Sequence, residues 1–424
     1  MIIQGTVAPG YESVKALYEH NMHHLAERNT QLCIYVGDEC VVDLWGSAID
    51  DPGFSPDSLV NVFSSGKSLE AILLAMLVDR GLLSYDAPLT EYWPEFGANG
   101  KTAVTVADLM RHEAGLAAFD VTLEPQNLHP EQLRNNSVGV VIQNQAQKFR
   151  EGANNQREYH AITRGWIANE VFRRVEPDGR TMGQFLRDEV STPLQADVYI
   201  NLLEDDLPRI NDVHMLGFGY QFWQGLVPKR LGRKMELNLA QTIAKLARLR
   251  AGFANRTTAK APVPIAGMQK IAVVNSPAVA KGEIPSAGSK CSARGLAKLA
   301  AVMANGGQLG EYRIMSDSAY AALHDEPVAR AMLSLETSFT QGGVAEFQST
   351  QPNADPIAKG LNNGREGFFG WMGLGGSIFQ WHPEQKIGFA YVPTSLNVLD
   401  LVNERGKAYQ AEVKRCVEAL AGQG

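Results

Sequence analysis

Strand-like patterns lie at both ends of the chain, and helical patterns fill the region between them. Near the start, the β-rich runs 31–36 and 40–45 are separated by Gly-Asp-Glu, a composition typical of a hairpin connection. Near the end, the runs 377–381 and 387–392 are separated by a His-Pro-Glu-Gln turn. The simplest fold that uses both ends is one sheet closed by N- and C-terminal strands, with a helical lobe inserted between them.

Helical periodicity predicts the elements between these strands. The most apolar helical pattern covers residues 65–80. Other helices are predicted at 10–29, 106–111, 162–174, 182–190, 237–250, 293–305, 317–323 and 404–421. We therefore predict a sheet domain built from residues 1–80 and 285–424, with residues 81–284 forming the mostly helical lobe.

Composition excludes several classes of protein. The 424 residues are 45% hydrophobic and 20% charged, which is too apolar for a disordered chain. The net charge of −7 does not provide the basic surface that nucleic acids require, so no nucleic-acid partner is predicted. The start carries no secretory signal pattern, and the longest apolar run, 71–78, is far shorter than the ~18 residues of a membrane span. We therefore expect a cytoplasmic protein without a membrane span, and its oligomeric state is left open.

The cysteines and histidines form no recognisable metal-binding pattern. The four cysteines include no Cys-x-x-Cys pair, and the nine histidines include no His-Glu-x-x-His motif. No metal and no cofactor are therefore predicted. Cys33 and Cys40 flank the predicted hairpin turn, and whether they ever pair is left open.

The apolar helical pattern opens with Ser64-Ser65-Gly66-Lys67, a Ser-x-x-Lys motif typical of active-site-serine acyl transferases. Residues three apart share a helix face, so the Lys67 amine can reach the Ser64 hydroxyl. Unpaired N–H groups in the first turn can stabilise an oxyanion, and burial lowers the pKa of a lysine, as a general base requires. The alternative is structural, with Ser64 as a helix cap and Lys67 as a solvated side chain.

Two further segments carry candidate chemistry. Tyr159 can relay a proton if a nearby cation lowers the pKa of its phenol, and an ordinary core or loop aromatic is the alternative. The glycine-rich run 369–377 leads into a predicted strand, where glycines let backbone N–H groups approach a substrate closely. A β-bulge or a tight turn is the alternative there.

In this order and spacing, the three elements resemble the β-lactamase-related serine hydrolases, which include class C β-lactamases, DD-peptidases and esterases of one fold. The sequence around Ser64, VFSSGKSLEAILLAMLVDRGLL, resembles the family's nucleophile helix. Three later segments, TVADLMRHEAGL, EYHAITRGWIANEV and SAGSKCSARGLAKLAAVMANGG, extend the resemblance, which covers residues 11–396. The resemblance implies an α+β fold in which helices flank an antiparallel sheet, with the site in the cleft beside the helical lobe.

The resemblance also implies roles for particular residues. Ser64 is then the acylated nucleophile, Lys67 its base and Tyr159 the second proton carrier. The oxyanion hole combines the N–H of Ser64 with that of Leu374. The residues assigned to oxyanion or substrate binding are Leu374, Trp371, Gly373 and His160.

Two departures from the family pattern bear on the substrate. Penicillin-processing members usually carry Lys-Thr-Gly or His-x-Gly where this chain has Trp371-Met372-Gly373, and an indole cannot hold an anionic carboxylate as a cation does. Ala161 replaces the Asn or Ser that often follows the tyrosine. The tryptophan resembles the esterase branch, the family VIII carboxylesterases, and favours an apolar acyl or alcohol group.

The leading hypothesis is a serine hydrolase that cleaves small, mostly apolar carboxylic esters through a covalent acyl-enzyme on Ser64. A peptidase, a transesterase or acyltransferase, and a β-lactamase-like activity of the same fold are alternatives, as is an inactive binding or scaffold protein. Substrate contacts are expected from residues 119–136 and 214–227. The aromatic cluster in the second range is equally compatible with a small satellite core.

Overall fold

A nine-stranded antiparallel sheet lies at the centre of the computed structural model, which describes residues 1–149, 157–253, 256–332, 335–350, 356–400 and 402–422. In chain order the strands are β1 (Ile2–Val7), β2 (Asn29–Val36), β3 (Glu39–Ser47), β4 (Val60–Asn61), β5 (Val198–Tyr199), β6 (His214–Met215), β7 (Lys290–Cys291), β8 (Gln308–Leu309), β9 (Tyr312–Arg313), β10 (Val328–Met332), β11 (Leu335–Phe339), β12 (Ala345–Glu346), β13 (Phe369–Met372), β14 (Ile378–His382), β15 (Ile387–Pro393) and β16 (Ser395–Leu396). The large sheet has the order β1-β3-β2-β15-β14-β13-β12-β11-β10. N-terminal and C-terminal strands meet where β2 pairs with β15, which confirms the predicted α+β fold with a sheet closed by both ends of the chain.

The nine predicted helical segments all form helices, and six further helices were not predicted, which gives fifteen α-helices in the described part of the chain. They are α1 (Glu12–His24), α2 (Gly66–Asp79), α3 (Val106–Met110), α4 (Pro130–Arg134), α5 (Gly139–Asn144), α6 (Thr163–Val175), α7 (Met182–Leu186), α8 (Thr192–Leu194), α9 (Phe218–Leu226), α10 (Leu239–Phe253), α11 (Pro277–Ala280), α12 (Ala293–Ala304), α13 (Asp317–His324), α14 (Pro356–Asn362) and α15 (Glu404–Ala421). The predicted helix at 182–190 is divided, because a π-helical turn, Arg187–Ser191, follows α7. Among the described helices, none combines the length and the apolar character needed to cross a membrane.

The strands of the large sheet alternate between two hydrophobic cores. In β2, Leu32 and Ile34 belong to the core that includes α1 and α15, whereas Cys33 belongs to the core that includes α2 and α12. Successive side chains of a strand point to opposite faces, so helices must cover both faces of such a strand. Helix α2 is buried on almost every side, which explains why its sequence is apolar without a polar face.

Two smaller sheets connect segments that are distant in sequence. β7 pairs with β4 and β5, and β16 pairs in parallel with β6. Within the large sheet, the sequence did not predict β1, the strands β10 to β12, or β13, which lies in the glycine-rich run 369–377. β1 and β10 are the edge strands, and β12 has two residues. The division of the chain into domains at residues 80 and 284 stays a prediction.

The two cysteines near the predicted hairpin do approach each other. Cys33 and Cys40 lie on β2 and β3 with their Sγ atoms 3.7 Å apart. Both are free thiols, as are Cys291 and Cys416. The two cysteines are not directly opposite in the strand pair, since Cys33 pairs with Asp43 and Cys40 with Tyr35. The register shifts between Ile34 and Tyr35, between the two pairs.

A buried ion pair joins the last helix to the segment after the first. Arg405 on α15 donates to Glu27 at 2.7 Å, and both side chains are almost fully buried. Arg405 also donates to the carbonyls of Gly375 and Ser395, and the Tyr391 hydroxyl donates to Glu27. These charges are therefore compensated within the protein rather than by water.

We predict that Arg405→Met lowers the apparent free energy of unfolding by about 3–5 kcal/mol, because it leaves Glu27 buried without its cation. Urea denaturation followed by circular dichroism measures this change. Arg415→Ala is the matched control, since it removes an ion pair with Glu412 whose arginine is 60% exposed. The control should leave the urea midpoint unchanged, and equal effects of the two substitutions would contradict the prediction.

Candidate active site

Ser64 lies at a sharp turn between β4 and α2. Phe63, the preceding residue, has a φ of +47°, which is uncommon for a bulky side chain. The chain then forms a short 3₁₀ helix, Phe63–Ser65, that continues into α2. Ser64 is partly exposed and lines a cavity, whereas Ser65 is fully buried. As the second residue of the 3₁₀ helix, Ser64 has a backbone N–H without an intrahelical acceptor.

The Lys67 amine is buried and touches three separate segments. Its Nζ atom lies 3.4 Å from Ser64 Oγ and donates to the carbonyls of Ala161, at 2.7 Å, and Ser286, at 3.0 Å. A solvated lysine, the structural alternative, does not fit this position. A neutral amine satisfies the arrangement with its two hydrogens on the carbonyls and its lone pair towards the Ser64 hydroxyl.

The surroundings of Lys67 favour the neutral amine. Burial lowers the pKa of Lys67 well below its ordinary value of 10.5, although the charge of Glu70 acts to raise that pKa and Arg164 acts to lower it. Arg164 pairs with Glu70 at 2.8 Å in a fully buried ion pair. Arg164 also donates to the Lys67 carbonyl, which holds the first turn of α2 in place.

Tyr159 lies beside both Ser64 and Lys67. The Lys67 Nζ atom is 4.8 Å from the centre of the Tyr159 ring, and Trp371 Nε1 donates to the Tyr159 hydroxyl at 3.1 Å. Burial raises the pKa of Tyr159, and hydrogen bonds with the Ser64 and Trp371 side chains offset part of this rise. The phenol is therefore protonated at neutral pH and can donate its proton.

Buried serines attach the glycine-rich turn after β13 to the start of α2. Ser377 Oγ donates to the Val62 carbonyl at 2.6 Å and lies 3.1 Å from Ser65 Oγ. Gly373 fits between these groups because a Cβ atom there would lie 2.1 Å from Ser377 Oγ and 2.3 Å from the Val62 carbonyl oxygen. Trp371 N donates to Ser68 Oγ at 2.9 Å, which attaches β13 to the same helix.

The turn presents Leu374 to the cavity that contains Ser64. Gly376 N donates to the Gly373 carbonyl, so Leu374 is the second residue of a β-turn and its N–H is not used within the turn. Asn403 Nδ2 donates to the Gly373 carbonyl and Arg405 to the Gly375 carbonyl, which holds the turn from behind. Ser64 and Leu374 thus line one cavity, and their N–H groups are the candidates for an oxyanion hole there.

His160 does not fit its assignment to substrate binding. The side chain is fully buried, its Nδ1 contacts the Glu158 carbonyl at 2.6 Å, and its Nε2 accepts from Leu116 N at 3.0 Å. Burial lowers its pKa to about 4, so the ring is neutral. His160 N donates to His112 Nδ1, and the His112 ring lies 5.0 Å from the Tyr159 ring. His160 is therefore held inside the protein next to Tyr159 and is not among the residues that line the cavity around Ser64, so the expected contact with substrate is not found.

The cavity around Ser64 has a volume of about 140 Å³. Besides Ser64, Tyr159, Trp371, Gly373 and Leu374, its mostly apolar lining consists of Met332, Leu335, Thr337, Leu361, Met372, Gly375, Val398, Asp400 and Asn403. None of these described lining residues comes from 119–136 or 214–227, so the expected substrate contacts from those ranges are not found here. Sequence reasoning also missed the supporting side chains of Ser68, Ser377 and Asn403, which carry no local motif.

Comparison with known sequences identifies one family across the chain. A sequence model described as Beta-lactamase matches residues 14–412. The esterase/beta-lactamase LipL of Mycobacterium tuberculosis (strain ATCC 25618 / H37Rv) is 29% identical over 376 residues, which cover 86% of this chain and 76% of that protein.

Solved structures of similar proteins show the same fold. A family VIII carboxylesterase has 26% sequence identity and a TM-score of 0.75, with 98% of this chain and all of that chain covered. A penicillin-binding protein homologue from Caulobacter crescentus has 27% identity and a TM-score of 0.72 with the same coverage. Both similarities extend over the segments that build the cavity.

We predict that a fluorophosphonate probe adds once to the protein, at Ser64, because this serine is partly exposed and has an adjacent buried amine. Intact-mass spectrometry should show the adduct in the wild type and none in Ser64→Ala. Ser65→Ala is the matched control and should still be labelled, since Ser65 is fully buried. An adduct that persists in Ser64→Ala would argue against this nucleophile.

Proposed function

Because the chain belongs to the beta-lactamase family, we propose that it hydrolyses small, mostly apolar carboxylic esters through a covalent acyl-enzyme on Ser64. The family and its carboxylesterase relatives make the protein a serine hydrolase of the esterase type. The observation that supports the ester substrate is the position of Trp371. Its indole lines the apolar cavity, and its Nε1–H donates to the Tyr159 hydroxyl. Penicillin-processing members of the family usually carry a cation where this chain has Trp371.

Acylation begins with the Ser64 hydroxyl. The neutral Lys67 amine takes its proton while Ser64 Oγ forms a bond to the carbonyl carbon of the ester. The carbonyl oxygen becomes an oxyanion, which accepts hydrogen bonds from the N–H groups of Ser64 and Leu374. The tetrahedral intermediate then expels the alcohol oxygen, which receives a proton from Tyr159. The phenolate regains a proton from the Lys67 ammonium, so both residues return to their starting states.

Deacylation repeats these steps with water in place of Ser64. Water loses a proton to Lys67 or through Tyr159 as its oxygen attacks the acyl carbon, and the same two N–H groups hold the oxyanion. The bond to Ser64 Oγ breaks, and this oxygen regains its proton. The products are the carboxylic acid and the free enzyme.

The walls around Trp371 support selection of an uncharged substrate. On one side, the cavity with Ser64 is lined mainly by apolar side chains that suit an acyl group. On the other side, a cavity of about 260 Å³ is lined by Trp371, Phe347 and two carboxylates, Glu336 and Glu346. A substrate that bears its own carboxylate, as a β-lactam does, would meet these negative charges, and no cation is among the described residues that line either cavity.

We predict that p-nitrophenyl esters of short acyl chains are hydrolysed with higher kcat/KM than nitrocefin or a D-Ala-D-Ala peptide. The reason is the mostly apolar lining of the cavity, whose described residues include the acidic Asp400 and no cation. A steady-state panel run with one enzyme preparation measures the ratios, and Ser64→Ala should reduce every rate by at least about 10³-fold.

The variant Trp371→Lys should shift the preference of the enzyme from esters towards nitrocefin. It introduces the cation that this position lacks, so the ratio of nitrocefin to ester turnover should rise above that of the wild type. A wild-type enzyme that turns over nitrocefin faster than every ester would contradict the proposed substrate class.

The pH dependence tests the role of Lys67. The reactive form has a neutral amine, so kcat/KM should rise with pH as Lys67 loses its proton and level off well below pH 10.5, because burial lowers this pKa. Ester hydrolysis measured across pH 4–10 in buffers of constant ionic strength gives the profile; Lys67→Ala should lose the ascending limb along with most activity.

Lys290→Met is the matched control for this profile. Lys290 is a second buried lysine, and burial lowers its pKa to about 7. It donates to Asn61 and Gly288 and does not line the Ser64 cavity. The ascending limb should stay in place in this variant, and its disappearance would contradict the assignment to Lys67.

A further inference from the structure

Helix α9 has the reverse of the usual amphipathic pattern. Its inward face carries the buried residues Gln221, Gln224 and Gly225, whereas Phe218 is 49% and Trp223 58% exposed. Helices on the surface of soluble proteins normally bury their apolar face. The exposed large apolar side chains of this region, which we call the α9 surface, are Met215, Phe218, Trp223, Leu226 and Leu231.

The inward face of α9 is well anchored, so the exposed apolar side chains are not the result of a detached helix. Gln221 Nε2 donates to the Leu216 carbonyl at 2.7 Å, and Lys234 N donates to Gln224 Oε1 at 2.7 Å. Gly225 lets α10 approach closely, because a Cβ atom there would lie 3.0 Å from Leu239 N. The helix is thus held by polar contacts in the orientation that exposes its aromatic residues.

Exposed cations follow α9 along the chain. Residues 214–236 contain four Lys and Arg residues and a single acidic residue, Glu236, in a chain whose net charge is −7. Lys229, Arg230 and Lys234 are exposed, and Lys229 also lies near enough to Glu236 for its charge to offset part of the rise that burial causes in the pKa of that carboxyl. Exposed aromatic and leucine side chains flanked by exposed cations are the combination that binds the interface of an anionic lipid bilayer.

We propose that the α9 surface docks the protein on the surface of an anionic lipid membrane. Trp223, Phe218 and Leu226 enter the boundary between headgroups and acyl chains, and Lys229 and Arg230 contact the lipid phosphates. A second copy of this chain is a poorer occupant, because a two-fold interface would place the same cations against each other.

The α9 surface lies next to the wall of the catalytic cavity in the fold. Strand β6 directly precedes α9 and pairs with β16, where Leu216 N donates to the Leu396 carbonyl. Two residues beyond β16, Val398 lines the cavity that contains Ser64. Docking through α9 would therefore bring the cavity close to esters that partition into the lipid, which goes beyond the proposed hydrolysis of esters in solution.

Co-sedimentation with vesicles tests this proposal. The full chain should bind vesicles of phosphatidylcholine with about 30% phosphatidylglycerol much more tightly than vesicles of phosphatidylcholine alone, and added salt should weaken the binding. Two double variants should each weaken vesicle binding by about tenfold or more. One is Trp223→Asp with Leu226→Asp, and the other is Lys229→Glu with Arg230→Glu. Ser64→Ala should bind like the wild type, so a failure of docking is distinguishable from a failure of the proposed hydrolysis.

Matched substitutions elsewhere serve as controls. Val140→Asp replaces an apolar residue that is 49% exposed on α5, and Lys15→Glu/Arg313→Glu reverses two cations outside the α9 surface. These variants should keep vesicle binding, and the α9 variants should keep hydrolysis of a soluble short ester, which shows that they fold. Equal binding to both kinds of vesicle, no loss in the α9 variants, or a dimer in light scattering that these variants dissociate would overturn the proposal.

Discussion

The burial of the Lys67 amine is the constraint on which the catalytic part of the structure depends. An amine without water needs protein acceptors, and here they come from the carbonyls of Ala161 and Ser286, on segments far apart in sequence. These segments can pack closely against α2 because glycines occupy the points where the backbones approach each other. A Cβ atom at Gly66 would lie 2.3 Å from the Pro285 carbonyl oxygen, and one at Gly165 would lie 2.6 Å from Glu70. The lowered pKa of Lys67 is therefore a property of three packed segments and not of the Ser-x-x-Lys motif alone.

The turn that carries Leu374 depends in the same way on the last helix. Its carbonyls accept hydrogen bonds from Asn403 and Arg405, and Leu374 lines the cavity that contains Ser64. Arg405 is itself held by Glu27, which belongs to the N-terminal part of the chain. Closure of the sheet by both ends of the chain and the position of Leu374 are thus parts of one network of buried polar contacts.

The sequence allowed prediction of features that are local or repeated. Periodicity located α12, α15 and the central strands to within a few residues, and residue spacing brought Lys67 to Ser64. Prediction from the sequence failed where the position of a side chain or strand depends on partners that are distant in sequence. Nothing in the segment 158–161 indicates that both ring nitrogens of His160 are taken by backbone groups, and nothing near Ser377 indicates its bond to Val62. The short strand β12 has no pattern of its own and exists because β11 and β13 flank it.

The presence of a tryptophan instead of a cation at residue 371 also affects which of the two proposed proton carriers, Lys67 and Tyr159, acts as base and which acts as acid. A lysine near the Tyr159 hydroxyl would favour the phenolate and lower the pKa of this tyrosine, whereas the neutral indole N–H lowers it less than burial raises it. Tyr159 therefore keeps its proton and is suited to donate to the leaving alcohol. The acceptor for the Ser64 proton must then be Lys67, whose pKa burial lowers in the required direction. Trp371 thus supports both the proposed substrate class and the proposed roles of Lys67 as base and Tyr159 as acid.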